Sequence, residues 1–159
     1  MRLIILAVGR VKDGPERQLI DRYIERAKLS ARALGFSGPD IIELPEGRAG
    51  QAASRMAEEA AAIRAKLGEA VMVLLDERGT SPSSPDFAKL LGRYRDGGRK
   101  ALALVIGGAD GLDPSLRQEA EMVVSFGGMT LPHQLVRLIA SEQIYRAMTI
   151  LSGHPYHRV

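Results

Sequence analysis

The chain of 159 residues contains no cysteine. That absence removes a disulfide framework, a thiolate-ligated zinc or iron–sulfur centre, and a cysteine nucleophile. Long apolar runs are missing as well. The longest, such as Leu3 to Val8 and Ala101 to Ile106, reach six residues, whereas a membrane span needs about 20 and the apolar part of a secretion signal about 7–15. A soluble, cytoplasmic protein that does not engage a membrane is therefore expected. Four catalytic signatures are also absent: G-x-G-x-x-G, G-x-x-x-x-G-K-[ST], H-E-x-x-H and G-x-S-x-G. Nicotinamide, P-loop, metal-dependent and serine-hydrolase chemistry lose their sequence support, and no metal is expected.

Of the residues present, 45% are hydrophobic and 26% charged, the balance of a globular protein and far from that of a fibrous or disordered one. At roughly 100–200 residues per domain, a single domain over residues 1–159 is expected. The net charge of +3 is unevenly spread: residues 1–36 carry +4, 37–132 carry −3 and 133–159 carry +2. All three histidines, His133, His154 and His157, fall in the last segment. Basic ends suit a phosphate backbone, which rewards Lys and Arg by counterion release. A charge this small also fits a chain that is merely soluble.

Leu3 to Val8 is a continuous apolar run rich in β-branched residues and ended by Gly9, which reads as a strand buried on both faces. Leu19, Ile20, Tyr23, Ile24 and Ala27 recur near a 3.6 period and predict an amphipathic helix over about 15–34. Gly35 and Gly38-Pro39 break it, and Ile41 to Leu44 reads as a second strand. The Ala-rich stretch from about Gln51 to Leu67 predicts a helix. Ala70 to Leu75 reads as the third strand, Asp76 to Pro82 as a polar loop, Ser84 to Tyr94 as a helix, and Ala101 to Ile106 as the fourth strand. Asp113-Pro114 places an N-cap candidate before proline at the first helical position. Met122 to Phe126 and Met129 to Leu131 read as one interrupted fifth strand, and Pro132 opens a last helix to about Leu151. Strands alternating with helices imply an α/β fold with a mostly parallel sheet flanked by helices. Ligands of such sheets bind outside the carboxyl ends of the strands, where Asp76, the Gly107–Gly111 loop and the turn before Pro132 fall.

Gly107-Gly108-x-x-Gly111 follows a buried strand directly. Paired glycines there allow either a tight strand-to-helix turn or close backbone approach to a ligand. Gly127 to His133 is a second glycine-rich turn ahead of a helix, with His133 as ligand contact or as cap. The segment His154-Pro155-Tyr156-His157-Arg158 packs two imidazoles, a phenol and a guanidinium into five residues. Imidazole suits proton transfer near neutrality. The last few residues of a chain are also where fraying is commonest.

Five groups of residues occur in one order and spacing: Leu75-Asp76-x-x-Gly79, Ile106-Gly107-Gly108-x-x-Gly111, Met129-Thr130-Leu131-Pro132-His133-x-Leu135-x-Arg137, Glu142-Gln143-x-Tyr145-Arg146-Ala147 and His154-Pro155-Tyr156-His157-Arg158. Together they resemble the ribosomal large subunit methyltransferase H family of the SPOUT class, weakly over residues 10–70 and specifically over 75–158. The resemblance implies a homodimer of SPOUT-type α/β domains with a C-terminal trefoil knot. It implies S-adenosyl-L-methionine as methyl donor and N3 of a pseudouridine in 23S ribosomal RNA, in the large subunit or 70S ribosome, as acceptor. Carried over by position, the cofactor contacts are Leu75, Gly108, Gly128, Met129, Thr130, Leu131, Pro132 and His133. Gly127 departs from the family, which usually carries serine there.

Methyl transfer from a sulfonium needs positioning and the loss of one proton. On this reading His154 or His157 is a general base, Arg158 stabilises charge or grips a phosphate, and Tyr156 stacks on or hydrogen-bonds the base. In a dimer the tail completes the partner's site. Two other readings stand beside this one: a non-catalytic RNA-binding, ribosome-associated module of the same fold, and a small-molecule enzyme that takes an adenine-containing ligand.

Overall fold

In the computed structural model, which describes residues 1–157, five strands form one sheet: β1 (Arg2–Val8), β2 (Ser37–Leu44), β3 (Val71–Thr80), β4 (Ala101–Ile106) and β5 (Met122–Val124). Their order is β2-β1-β4-β3-β5 and each pairing is parallel. The helices between them are α1 (Pro15–Ala31), α2 (Ala52–Leu67), α3 (Ser84–Asp96), α4 (Leu116–Glu119) and α5 (His133–Ser152).

The continuous apolar strands are explained by helices on both faces. Side chains alternate along a strand. Leu3, Ile5 and Ala7 of β1 therefore join the core beneath α1, α3 and α5, with Ile20, Leu91 and Ile144. Ile4, Leu6 and Val8 join the opposite core beneath α2 and α4, with Ile63 and Leu116. β1 and β4 are central, so both of their faces and both of their backbone edges are covered. The expected α/β architecture is thus the observed one.

Several boundaries differ from the sequence expectation, each for a physical reason. β2 starts at Ser37, not Ile41, and takes in Gly38-Pro39. A proline has no N–H to give a ladder, but β2 is an edge strand and one of its sides needs no partner. The segment Asp76–Thr80, read as loop, continues β3. Its polar side chains extend past the helix-covered part of the sheet, and Thr80 still pairs with Val124. β5 ends at Val124, so the expected continuation through Phe126 and Met129 to Leu131 does not form. Instead Ser125 Oγ donates to the Gly127 carbonyl at 2.8 Å and accepts the Gly127 N–H at 3.0 Å, turning the chain out of the strand. α4 begins at Leu116. Asp113 forms a turn before it and accepts the Ser115 N–H at 2.8 Å, and so does not cap a helix opened by Pro114.

Candidate functional site

With all strands parallel, β3, β4 and β5 end on one edge of the sheet, and the loops that leave them enclose a cleft of about 670 Å³. One wall is the end of β3 with the Gly107–Gly111 loop; the other is the loop from Ser125 to Pro132 and the first turn of α5. Of the residues expected to hold a cofactor, Leu75, Gly108, Met129, Thr130, Leu131, Pro132 and His133 line this cleft. Gly128 is exposed and lies outside the lining. A Cβ at Gly108 would meet Val8 Cγ1 at 3.1 Å and the Glu59 carboxylate at 3.3 Å. Neither residue lines the cleft, so this glycine lets its loop settle onto the sheet. Gly127 takes φ +131°, where L side chains rarely sit.

Four charged residues were not assigned to a cofactor from sequence but line the cleft: Asp76, Glu77, Arg78 and Asp110. Their signal was position, because Asp76 to Arg78 directly follow the apolar run of β3 and Asp110 lies in the loop after β4. The Asp76 side chain is 9% exposed and pairs with Arg117 at 2.7 Å and Arg78 at 3.2 Å. Burial works to raise its pKa, but the Arg78 N–H and the guanidinium groups of Arg78 and Arg117 prevail and hold it below the ordinary carboxylate value. Asp110 is held by Arg55 through bonds of 2.7 and 3.0 Å. Glu77 makes no ion pair among the described residues; it accepts from Thr130 Oγ1 at 2.9 Å, which ties the end of β3 to the opposite wall.

Behind the cleft, Arg137 on α5 is 1% exposed. Its guanidinium ion-pairs with Glu43 of β2 and donates to the Gly9 carbonyl at 3.0 Å. Burial lowers its pKa, and the Glu43 charge opposes that. The Val11 N–H also reaches Glu43, at 3.2 Å. This contact set fixes the first turns of α5, and so the Pro132–His133 lip, to the ends of β1 and β2.

The tail lies elsewhere. Among the described residues, none of His154, Tyr156 and His157 lines the cleft of its own chain. After Gly153, in the left-handed region at φ +70°, the chain folds back along α5. The Tyr156 hydroxyl donates to Glu142 at 3.1 Å, and its ring packs 4.7 Å from that of Tyr145. Glu142 is nine residues along α5 from His133, about 13 Å at 1.5 Å per residue. Arg146 donates twice to Glu142, at 2.6 and 3.0 Å, and lies over the Tyr156 ring at 4.9 Å. Burial, then Tyr23 and the charge of Glu142, push the Tyr156 phenol above its ordinary value. Arg158 lies outside the described residues.

Among the described residues no three His, Asp or Glu side chains gather as a metal site, and no helix is long and apolar enough to cross a membrane. A parallel sheet with two glycine turns at its carboxyl edge matches, over residues 1–157, a family model described as a predicted SPOUT methyltransferase. A probable methyltransferase from Bordetella pertussis Tohama I has a similar fold, with a TM-score of 0.55 at 14% identity over 92% of this chain and 93% of that one. Proteins named ribosomal RNA large subunit methyltransferase H from Bradyrhizobium sp. (strain ORS 278) and Rhodopseudomonas palustris (strain TIE-1) are each 58% identical to it, over 99% of this chain and 98% and 99% of theirs. That of Mesorhizobium japonicum is 54% identical over 99% of both. The chain belongs to the ribosomal RNA large subunit methyltransferase H family of SPOUT methyltransferases.

Proposed function

We propose that this chain is a cytoplasmic, S-adenosyl-L-methionine-dependent methyltransferase that modifies N3 of a pseudouridine in 23S ribosomal RNA, on the large subunit or 70S ribosome, and that works as a homodimer of single, C-terminally knotted domains. The observation that carries the reading is the cleft built from two glycine turns, in a chain that matches ribosomal RNA methyltransferases from end to end.

The cleft fits the cofactor. Its volume lies within the roughly 300–1,000 Å³ of small-molecule sites. Leu75, Ile106, Leu112 and Leu131 offer apolar walls to a flat heterocycle, the glycine turns offer backbone amides, and Glu77 offers a carboxylate to a cationic group. Leu75, Gly108, Met129, Thr130, Leu131, Pro132 and His133 would hold it, with Gly128 exposed on the same loop. When bound, S-adenosylmethionine supplies a methyl group whose bond to sulfur breaks as the electron pair of the acceptor nitrogen forms the new bond to carbon.

The remaining tasks belong to the chain's own residues. They must seat the base, exclude competing water, and favour loss of the proton from a nitrogen flanked by two carbonyls. His154, Tyr156, His157 and Arg158 serve the acceptor. Because Tyr156 folds back onto Glu142 and none of the described tail residues lines its own cleft, the tail on this reading meets the methyl donor across the interface of a dimer. A dimer with two tails and two basic N-terminal segments also supplies the phosphate-binding surface that one small domain lacks. Calorimetric titration of S-adenosylmethionine into the pure protein tests the reading: saturable binding at about one site per chain is expected, and no heat over a wide concentration range would sink it.

A further inference from the structure

We infer that the two tail imidazoles, His154 and His157, act as hydrogen-bond donors through Nε2–H toward the carbonyl oxygens of the acceptor base, and not as the base that takes its proton. The inference rests on the methyltransferase reading above and assigns a role within that site.

Nδ1 of His154 lies 3.1 Å from the Tyr156 backbone nitrogen, whose N–H points to it. An amide N–H can only donate, so this Nδ1 is bare and the neutral ring carries its hydrogen on Nε2. Nδ1 of His157 lies 3.4 Å from Nη1 of Arg146. A guanidinium has five donors and no acceptor, so the same tautomer follows. Arg146 is not free to turn away: its Nε and Nη2 are held on Glu142, and its plane covers the Tyr156 ring. Arg26 and Tyr23 of α1 back the same cluster through Tyr145. The third polar group is committed too, since Tyr156 gives its hydroxyl proton to Glu142. Both imidazole acceptors and the one phenol donor are thus spent within the chain. Nε2–H of both rings has no partner among the described residues.

Two donors of this kind match the chemistry of the acceptor. As N3 loses its proton to solvent water, negative charge spreads onto the two flanking carbonyl oxygens. Fixed donors stabilise charge developing at such positions, and removing one from an oxyanion site commonly costs about 10²–10³ in rate. Arg146 is then a positioning residue that sets the tautomer of His157, and Glu142 holds Arg146.

The test has two arms. Long-range proton–nitrogen NMR of the cofactor-free protein, recorded at a pH where the rings are neutral, is expected to show protonated Nε2 and bare Nδ1 at both histidines. In methyl transfer to ribosomes, His154→Gln and His157→Gln, which keep a donor near the Nε2 position but cannot serve as a base, are expected to stay within about tenfold of wild type. Alanine, and asparagine, whose amide reaches only the Nδ1 position, are expected to lose about 10²–10³. The wild-type rate is expected to keep rising with pH beyond the ordinary imidazole value of about 6.5. An Nδ1–H tautomer at either ring overturns the proposal. So do glutamine variants as inactive as alanine, or a profile that levels off in the imidazole range. Lack of cofactor binding in the calorimetric titration would instead overturn the methyltransferase reading, and with it the role of the donors, while the tautomers would still be observed.

Discussion

Asp76 shows how much one residue depends on its neighbours. Its carboxylate lies almost out of solvent where the apolar part of β3 ends, between Arg117 and Arg78. A carboxyl whose folded pKa is depressed adds stability above its unfolded pKa, and that stability is lost as pH falls through the folded value. Asp76→Asn is therefore expected to cost about 1–3 kcal/mol at pH 7, with the difference shrinking toward zero below about pH 3.9; denaturant unfolding across that range checks it. Gly108 answers to the sheet beneath it. A valine there would press on Val8 and Glu59, lift the Gly107–Gly111 loop, cost about 1–3 kcal/mol by overpacking and weaken cofactor binding. Unfolding and calorimetry on Gly108→Val read the two effects separately. Beside Gly127, the Ser125 hydroxyl bonds both the N–H and the C=O of that glycine.

Among the elements, α5 connects the sheet to both the cleft and the tail. Its first turn carries His133 at the cleft, its second is locked by Arg137 to β1 and β2, and its middle holds the tail through Glu142 and Arg146. Removing one partner of a buried ion pair costs more than the pair is worth, because the other charge stays buried. Glu43→Ala leaves Arg137 in that state and is expected to cost about 3–5 kcal/mol, and to lower cofactor affinity because the Pro132–His133 lip loses its anchor. A stability loss without a change in affinity would show that α5 and the lip are uncoupled. Motifs at both ends of this helix were legible in the sequence. The link between them was not: Arg137 and Glu43 are 94 residues apart, and no local pattern announces a pair formed between α5 and β2.

At the scale of the whole molecule the proposed dimer accounts for the separation of the cleft from the described tail residues. If each cleft takes its tail from the partner, Gly108→Val and a chain lacking residues 154–159, each inactive alone, are expected to regain about a quarter of wild-type activity when mixed and allowed to exchange subunits. Half of the dimers are then mixed, and each carries one intact site of two. No recovery in mixtures shown to exchange would place tail and cleft in the same chain. Composition, the absence of cysteine and the apolar runs determined the class: strands without polar faces must be covered on both sides, so a parallel α/β sheet follows from the sequence alone. The carboxyl edge of that sheet as the place of the candidate site followed as well, and most of the residues that line the cleft lie on it. Only the tertiary structure decided that Asp76–Thr80 is strand, that Glu77 and Arg78 join Asp76 and Asp110 in lining the cleft, and that Tyr156 of the tail docks on Glu142. The physical reason is that strand and helix patterns are local consequences of burial, whereas where a tail docks depends on side chains far apart in sequence, which meet only after the chain has folded.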